Sequence, residues 1–257
     1  MKLPAMVRLT VRNVLVNTDP GTMFFMLGIP AFYLLVLGTM FQGLIPSFTQ
    51  HGVTTSYTTF LAPGIVGMQA FTAGNIGGGM LWADRRWGMF EQLLVGPFRR
   101  ADYLLGIMLV SVFFSLAGSG IMMALAFLIN GDFNITILGA IILMAVLVLG
   151  SIFFTSLFLI ISVLVRTMNA YQTITFLLFF MLDFASTAFY PVTPSTPLVL
   201  RVISTFNPLS YIVDVVRDCM LYGVSYSAWV GTGIITLLTV IFFYLSLVLY
   251  NNVRTGL

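Results

Sequence analysis

Long apolar stretches separated by short polar segments dominate the pattern along these 257 residues. A helix needs about 20 apolar residues to cross about 30 Å of hydrocarbon. Six stretches reach that length, at residues 23–45, 58–81, 103–129, 135–165, 171–190 and 229–250. The pattern predicts an all-α polytopic membrane protein, with six transmembrane helices in a single transmembrane domain over 1–257.

Three of the predicted transmembrane helices carry irregular features. Pro30 and Pro63 predict kinks in the first and second helices. The fourth stretch, 135–165, is long enough that it must tilt, kink near Gly150 or extend beyond the bilayer. In the second helix, Ala70, Gly74 and Gly78 recur every four residues. This small-residue pattern indicates close helix packing, and it leaves open a mobile joint at the same place.

Three polar segments interrupt or flank these stretches. Residues 1–20 predict an N-terminal interfacial helix, with apolar side chains on one face, Arg8 and Arg12 offset from them, and a turn at Asp19. Residues 82–102 predict a short cytoplasmic surface helix between the second and third transmembrane helices, ended by Gly96 and Pro97. Its apolar positions at helical spacing are Trp87, Phe90, Leu93 and Leu94.

The third polar segment, 191–227, predicts two short helices, at 198–206 and 210–222, on the extracytoplasmic side. Asn207 and Pro208 separate them. We expect Asp214 near the first turn of the second short helix, where Arg217 can pair with it three residues later. Their apolar residues need cover, so we expect both helices to dip into the outer leaflet as a re-entrant element.

Basic residues orient the chain. Hydrophobic residues make up 59% of it and charged residues only 7%, which excludes an ordinary soluble domain and favours a lipid bilayer over a nucleic acid as its surroundings. Of the eleven Lys and Arg residues, nine fall on the side of the N-terminus and two, Arg201 and Arg217, on the other. The positive-inside rule then places both termini and the 82–102 segment in the cytoplasm.

Catalytic and metal-binding constellations are missing from the sequence. One Cys and one His exclude a disulfide and a multi-ligand metal site within these residues, and the one lysine, Lys2, cannot serve a P-loop. We therefore expect no enzyme activity and no cofactor in this chain by itself. If ATP drives it, ATP and Mg²⁺ bind another polypeptide.

A candidate substrate path follows from the second and fifth predicted helices. Asp183 is the one acidic residue placed inside a predicted transmembrane helix, where charge is costly. Three roles stay open: a carboxylate satisfied by Ser186, Thr187 or water, a substrate contact, or a proton-carrying group. A path lined by both helices would be mostly apolar and suited to a hydrophobic or amphiphilic substrate. Its candidate lining residues are Met68, Gln69, Phe71, Thr72, Asn75, Phe176, Phe179, Phe180 and Asp183.

Two motifs resemble those of type 2 ABC transporter permeases. The run GMFEQLLVGP at 88–97 is similar to the family pattern G-x-x-E-x-L-L-x-T-P, with Gly96 in place of threonine. The run FNPLSY at 206–211, continued by Asp214 and Arg217, is similar to the pattern NPL-T/S-Y-x-x-D-x-x-R. A weaker third match is the FYP run at 189–191, followed by Pro194.

The resemblance implies a half-transporter in the cytoplasmic membrane of a prokaryote, working as a homodimer with two ATP-binding subunits and exporting drugs, antibiotics, lipids or lipid-linked glycans. The drug and antibiotic efflux branch, with its role in multidrug resistance, is the more similar one. Segment 82–102 would be the coupling helix that meets the ATPase. Its expected interface residues are Arg86, Trp87, Gly88, Phe90, Glu91, Leu94, Pro97, Arg99 and Arg100, and the outer re-entrant motif comprises Asn207, Pro208, Tyr211, Asp214 and Arg217.

Two other functions remain open from the sequence. An ion-coupled secondary transporter or channel would use Asp183 and an ion gradient in place of ATP. A membrane sensor or scaffold would use the same coupling segment with an ATPase and transport nothing.

Overall fold

The computed structural model describes residues 4–44, 47–50, 53–89, 92, 100–130, 133–192 and 196–251. The described chain is helical almost throughout, as predicted. Its helices are α1 (Ala5–Val16), α2 (Pro20–Leu44), α3 (Tyr57–Arg86), α4 (Arg100–Asn130), α5 (Ile137–Leu164), α6 (Met168–Phe184), α7 (Leu198–Phe206), α8 (Pro208–Tyr222) and α9 (Tyr226–Asn251). Strands β1 (Phe48–Gln50) and β2 (Val53–Thr55) form an antiparallel hairpin between α2 and α3, which the sequence pattern did not predict.

Four of the described helices are long and apolar enough to cross a membrane: Pro20–Leu44, Arg100–Ile129, Ile137–Leu164 and Tyr226–Tyr250. The bent pair α7 and α8, which meet at 86°, would make a fifth crossing if it counts as one. Helix α3 is rich in glycine and threonine, and the 17 residues of α6 extend only about 26 Å at 1.5 Å per residue. The predicted count of six transmembrane helices therefore stays a prediction.

Several helix ends differ from those predicted. Helix α3 runs to Arg86, past the predicted end at residue 81, and α4 already begins at Arg100. Helix α6 ends at Phe184, six residues before the predicted 190. The Ser186 hydroxyl bonds the Asp183 carbonyl at 2.7 Å and accepts the Ala188 N–H at 3.2 Å, so a side chain replaces helical backbone bonds there.

The prolines and the long fourth stretch are accommodated within continuous helix. Helix α2 widens into π-helical turns at Phe24–Gly28 and Tyr33–Leu37, on both sides of Pro30, whose missing N–H removes one backbone bond. Helix α3 continues through Pro63. Helix α5 is continuous over 28 residues, including Gly150, and spans about 42 Å.

Helix α3 is the centre of the bundle and packs most extensively on α5 and α4. A Cβ added at Gly74 would lie 2.4 Å from the Phe154 Cβ, and one at Gly78 would lie 2.1 Å from the Phe158 Cβ. Only glycine permits this approach of α3 to α5, which confirms that the small-residue pattern serves close packing within one chain. A mobile joint at this place stays a prediction.

The N-terminal helix α1 lies against α4 rather than on lipid alone. Leu9 and Asn13 are buried, and the Thr10 hydroxyl donates to the Gly106 carbonyl at 3.5 Å. Val11 and Leu15, on the predicted apolar face, are exposed, which suits a helix that lies at a membrane surface. After α1, Asp19 caps α2 by accepting bonds from Thr22 and Gly21, and the Thr22 hydroxyl and N–H lower the pKa of this carboxyl.

Candidate functional site

The C-terminal end of α3 contacts three other helices through neighbouring side chains. The Tyr103 hydroxyl of α4 donates to Asp84 Oδ2 at 2.7 Å. Arg85 Nη1 donates to the Ser162 carbonyl of α5 at 3.0 Å. Trp82 stacks on Tyr171 of α6, with ring centroids 6.0 Å apart and planes inclined by 22°. A displacement of this end of α3 would therefore be transmitted to α4, α5 and α6 together.

Helix α3 ends inside the segment that the sequence predicts to couple to an ATPase. The Trp87 N–H donates to the Ala83 carbonyl at 3.0 Å, and Gly88 then takes a left-handed conformation with φ +67°. Glycine adopts that conformation at little cost, so this position favours a helix stop. The Trp87 side chain is 80% exposed, and the Arg86 guanidinium lies 5.9 Å from the centroid of the Trp82 ring. An indole this exposed is free to contact another protein or the lipid headgroups.

Most of the predicted coupling interface lies outside the described residues. Phe90, Glu91, Leu94, Pro97 and Arg99 belong to that part of the chain, whereas Arg100 begins α4. The amphipathic helix expected over the first half of 82–102 is replaced up to Arg86 by the end of α3. The interface itself stays a prediction.

The substrate-path candidates on α3 are mostly core residues in this single chain. Met68, Gln69, Phe71 and Thr72 are buried, and Asn75 is half-buried. Gln69 Nε2 reaches across to the Met26 carbonyl of α2 at 3.3 Å, while the Thr72 hydroxyl bonds the Met68 carbonyl within its own helix at 3.3 Å. These side chains support helix packing, and only Asn75 borders open space.

The candidates on α6 form an aromatic row that runs from the core to the surface. Phe179 lies 5.9 Å from Phe71 and 6.1 Å from Phe25, measured between ring centroids. Phe180 and Phe176 continue the row outward, 4.6 Å apart, and are 41% and 62% exposed. The structure thus brings the α3 and α6 candidates together at the Phe71–Phe179 contact and leaves the outer rings Phe176 and Phe180 exposed.

Asp183 lies at the end of α6 and is fully buried. Neither carboxylate oxygen accepts a hydrogen bond from any described residue. The expected partners are otherwise engaged, since the Ser186 hydroxyl bonds the Asp183 backbone and the Thr187 hydroxyl bonds Asp214. Pairing of the carboxylate with Ser186 or Thr187 is therefore wrong for this chain. A carboxylate so placed needs a proton, a cation or a substrate donor to offset its burial.

The outer motif organises the joint between α7 and α8. Asn207 caps α8 through its Oδ1, which accepts the Leu209 N–H at 2.9 Å, and its Nδ2 donates to the Leu182 carbonyl of α6 at 2.7 Å. Pro208 occupies the first helical position, two residues before the predicted start at 210, and the Tyr211 hydroxyl donates to the Thr205 carbonyl at 2.7 Å. These contacts fix the bend between α7 and α8 and attach it to α6.

Arg217 holds the outer motif against the bundle. Its guanidinium donates to Asp214 Oδ1 at 3.0 Å, which confirms the predicted pair, and to the Thr187 carbonyl at 2.7 Å. Its Cζ lies 3.9 Å from the centroid of the Phe60 ring of α3. Asp214 is expected near the first turn, and because α8 begins at Pro208 it lies in the second turn. Sequence reasoning missed the Thr187 and Phe60 contacts, which join residues far apart in the chain.

The sequence model of ABC-2 type transporters matches residues 6–221. The match runs from α1 to the end of α8 and includes both motifs. The chain belongs to the ABC-2 type transporter family. The protein is therefore a multi-pass membrane component of an ABC transporter. Membership of this family implies an ATP-binding partner and a lipid bilayer.

Two relatives align with this ABC-2 protein over most of its length. The "Putative transport permease ycf38" of Cyanophora paradoxa is 28% identical over 207 residues, which cover 78% of this chain and 67% of that protein. "Nodulation protein J" of Rhizobium leguminosarum bv. trifolii is 29% identical over 203 residues, covering 77% of this chain and 74% of that protein. Both resemblances extend over most of the described helices.

Proposed function

We propose that this ABC-2 protein is the permease half of an exporter, powered by a separate ATP-binding subunit that binds the 82–102 segment. The observation that carries the proposal is the way α3 leaves the core. The helix emerges at Arg86 and Trp87, while its last turns contact α4, α5 and α6 through Asp84, Arg85 and Trp82. Closure of an ATP-binding subunit against this segment would then move four helices at once.

The proposed cargo is a hydrophobic or amphiphilic molecule taken from the cytoplasm or the inner leaflet, such as a drug, an antibiotic, a lipid or a lipid-linked glycan. The exposed aromatic row of α6, with Phe176 and Phe180, supports this cargo because aromatic rings bind apolar surface without requiring charge. Two copies of the chain are proposed, each with one ATP-binding subunit. Both termini are placed in the cytoplasm and the chain in the cytoplasmic membrane, on the strength of the arginine distribution.

Transport would require two arrangements of the bundle, one open inward and one open outward. ATP binding can shift their populations only if the partner subunits bind one arrangement better, and net transport needs a cargo affinity that differs between them. The α3–α5 contact at Gly74 and Gly78 is too close to slide without separating. These two helices are expected to move as one body.

A reconstituted system tests the proposal. The chain and its ATP-binding subunit are placed in liposomes, and accumulation of a fluorescent amphiphile is followed with ATP, with a non-hydrolysable ATP analogue, and with a proton or sodium gradient. We expect accumulation with hydrolysable ATP only. Transport by the chain alone, driven by either gradient, would overturn the proposal.

An ion-coupled transporter is the second candidate, because the Asp183 carboxylate is buried without a hydrogen-bond donor among the described residues. The same liposome experiment, run with a proton or sodium gradient in place of ATP, distinguishes the ion-coupled transporter from the ATP-driven exporter. If a gradient drives transport and Asp183→Asn abolishes it, the second candidate replaces the first.

A further inference from the structure

A cavity of about 420 Å³, with both polar and apolar lining, lies between α1, the first turns of α2 and the C-terminal half of α3. Arg12 and Asn13 of α1 border one side, and Asn75 and Asp84 of α3 border another. Ala83 and Asp84 at the start of the 82–102 segment and the path candidate Asn75 belong to its lining, whereas the aromatic rings Phe176, Phe179 and Phe180 of α6 do not. The cavity is large enough for a headgroup of several non-hydrogen atoms.

The two charges at this cavity do not neutralise each other. Arg12 and Asp84 form no ion pair within 4.0 Å, and the one ion pair among the described residues that meets this distance is Arg217 with Asp214. Arg12 donates a long bond of 3.4 Å to Asn13 Oδ1. Asp84 accepts the Tyr103 hydroxyl through Oδ2, and its Oδ1 accepts from no described residue. The Arg12 guanidinium can therefore still donate, and Asp84 Oδ1 can still accept, hydrogen bonds from a ligand in this cavity.

Two amides add to the polar side of the cavity. Asn13 is only 4% exposed, and its Nδ2 donates to no described residue. Asn75 is half-buried, and its side chain forms no hydrogen bond with the described chain. A buried amide donor without an acceptor costs free energy, so a ligand that supplies oxygen atoms would be stabilised here.

Apolar side chains complete the lining. Phe25 of α2 and Met80 of α3 border the same cavity, close to the point where α1 meets the first predicted transmembrane helix. This location, beside a helix with exposed Val11 and Leu15, is the level at which lipid headgroups lie. The lining therefore suits a polar headgroup joined to an acyl chain.

We propose that this cavity binds a phosphoethanolamine group, with the phosphate at Arg12 and the ammonium at Asp84. A phosphate accepts strong hydrogen bonds from a guanidinium and from amide donors. A primary ammonium donates to the carboxylate, which a choline group cannot do because it has no N–H. A purely anionic headgroup would leave Asp84 unpaired and repelled. The inference concerns binding alone and does not depend on export or on an ATP-binding subunit.

Lipid retention measures this site directly. The intact chain is purified in a mild detergent, exposed to equal amounts of phosphatidylethanolamine, phosphatidylglycerol and phosphatidylcholine of matched acyl chains, and examined by native mass spectrometry. We expect phosphatidylethanolamine to be retained in preference to both others. Arg12→Gln should weaken retention about tenfold, because it removes charged hydrogen bonds to phosphate.

Asp84→Asn is the discriminating variant. Asparagine still accepts the Tyr103 hydroxyl but cannot pair with an ammonium as a charge, so the preference over phosphatidylglycerol should be lost. Arg8→Gln removes an equal charge from α1 one turn away, outside the cavity lining, and should retain the wild-type preference. Equal retention of the three lipids by the wild type, or a preference that survives both cavity variants, would overturn the proposal.

A steric variant keeps the test decisive if a charge change disturbs folding. Gly79 borders the cavity, and a Cβ added there would meet only the Tyr171 hydroxyl, at an ordinary 3.6 Å. Gly79→Leu adds bulk at the cavity lining and should displace the lipid, and unchanged retention by the folded variant would count against the site. Competition by soluble phosphoethanolamine distinguishes binding of the free headgroup from binding of the lipid. If it displaces phosphatidylethanolamine, the headgroup is sufficient for binding. If it does not, the site requires the whole lipid.

Discussion

Helices α3 and α6 both carry candidate substrate-path residues, yet the single chain surrounds them very differently. Of the 30 residues of α3, 23 are buried, whereas α6 buries only Tyr171 and Asp183 of its 17. Helix α3 is rich in glycine, alanine and threonine, while α6 is rich in phenylalanine. The difference teaches that α3 forms the packed centre of the bundle and that α6 supplies a surface which a second chain, a substrate or lipid must cover.

The largest expected difference in stability comes from replacing a phenylalanine by alanine in each of the two helices. Phe71 is buried among Phe154, Phe158 and Phe179, whereas Phe180 is 41% exposed. Phe71→Ala should cost about 2–3 kcal/mol, at about 24 cal/mol per Å³ for a cavity on the order of 100 Å³. The other contribution to the cost of such a substitution, the loss of hydrophobic transfer free energy, is small because the surrounding lipid is itself apolar. Phe180→Ala should leave stability nearly unchanged and reduce transport of apolar substrates.

Thermal melting of both variants in detergent, beside transport measured in liposomes, checks this contrast. Equal losses of melting temperature would show that α6 is as firmly packed as α3, and the comparison would fail.

Two adjacent glycines sharpen the comparison within α3. An added Cβ at Gly78 would lie 2.1 Å from the Phe158 Cβ, whereas one at Gly79 would meet only the Tyr171 hydroxyl at 3.6 Å. Gly78→Ala should therefore destabilise the chain by about 1–3 kcal/mol through overpacking. Gly79→Ala should be neutral or stabilise by about 0.5–1 kcal/mol, because alanine favours helix. A melting temperature that falls equally in both variants would contradict the close contact between α3 and α5.

Asp183 is the exception within α6, since it is buried while most of its helix is not. Asp183→Asn keeps nearly the same shape and removes an ionisable group that no described residue bonds. We expect the variant to fold and assemble normally, with a smaller effect on melting than Gly78→Ala, and to alter transport. Wild-type kinetics for every substrate tested would assign Asp183 a purely structural role.

Much of the fold could be predicted because hydrophobicity and charge act locally. The approximate helix positions and the Asp214–Arg217 pair follow from spacing within a few residues. The predicted end of α6 lies too far along the chain because residues 185–190 contain no glycine, proline or charged residue to mark a stop. The Ser186 side-chain bonds reveal it.

Contacts between distant residues were beyond the sequence pattern. The joining of Asp84 to Tyr103, of Arg217 to Phe60, and of Arg12 to the same cavity as Asp84 depends on how the helices pack. The pattern also could not tell that Phe71 faces the core while Phe180 faces outward, because both are phenylalanines in apolar helices. In a membrane protein, side chains that face the protein core and side chains that face lipid are both apolar, so hydropathy does not distinguish them.

The central claim is that energy enters through the segment at which α3 leaves the core. Its most direct test is ATP-driven export of a fluorescent amphiphile by liposomes that hold the chain and its ATP-binding subunit, comparing Trp87→Ala with Trp229→Ala. Both indoles are exposed, by 80% and 54%, but Trp229 lies near the start of α9, away from the coupling segment. We predict that Trp87→Ala melts like the wild type and loses most ATP-driven export, while Trp229→Ala exports normally. Wild-type export by Trp87→Ala, or export without ATP, would contradict the account.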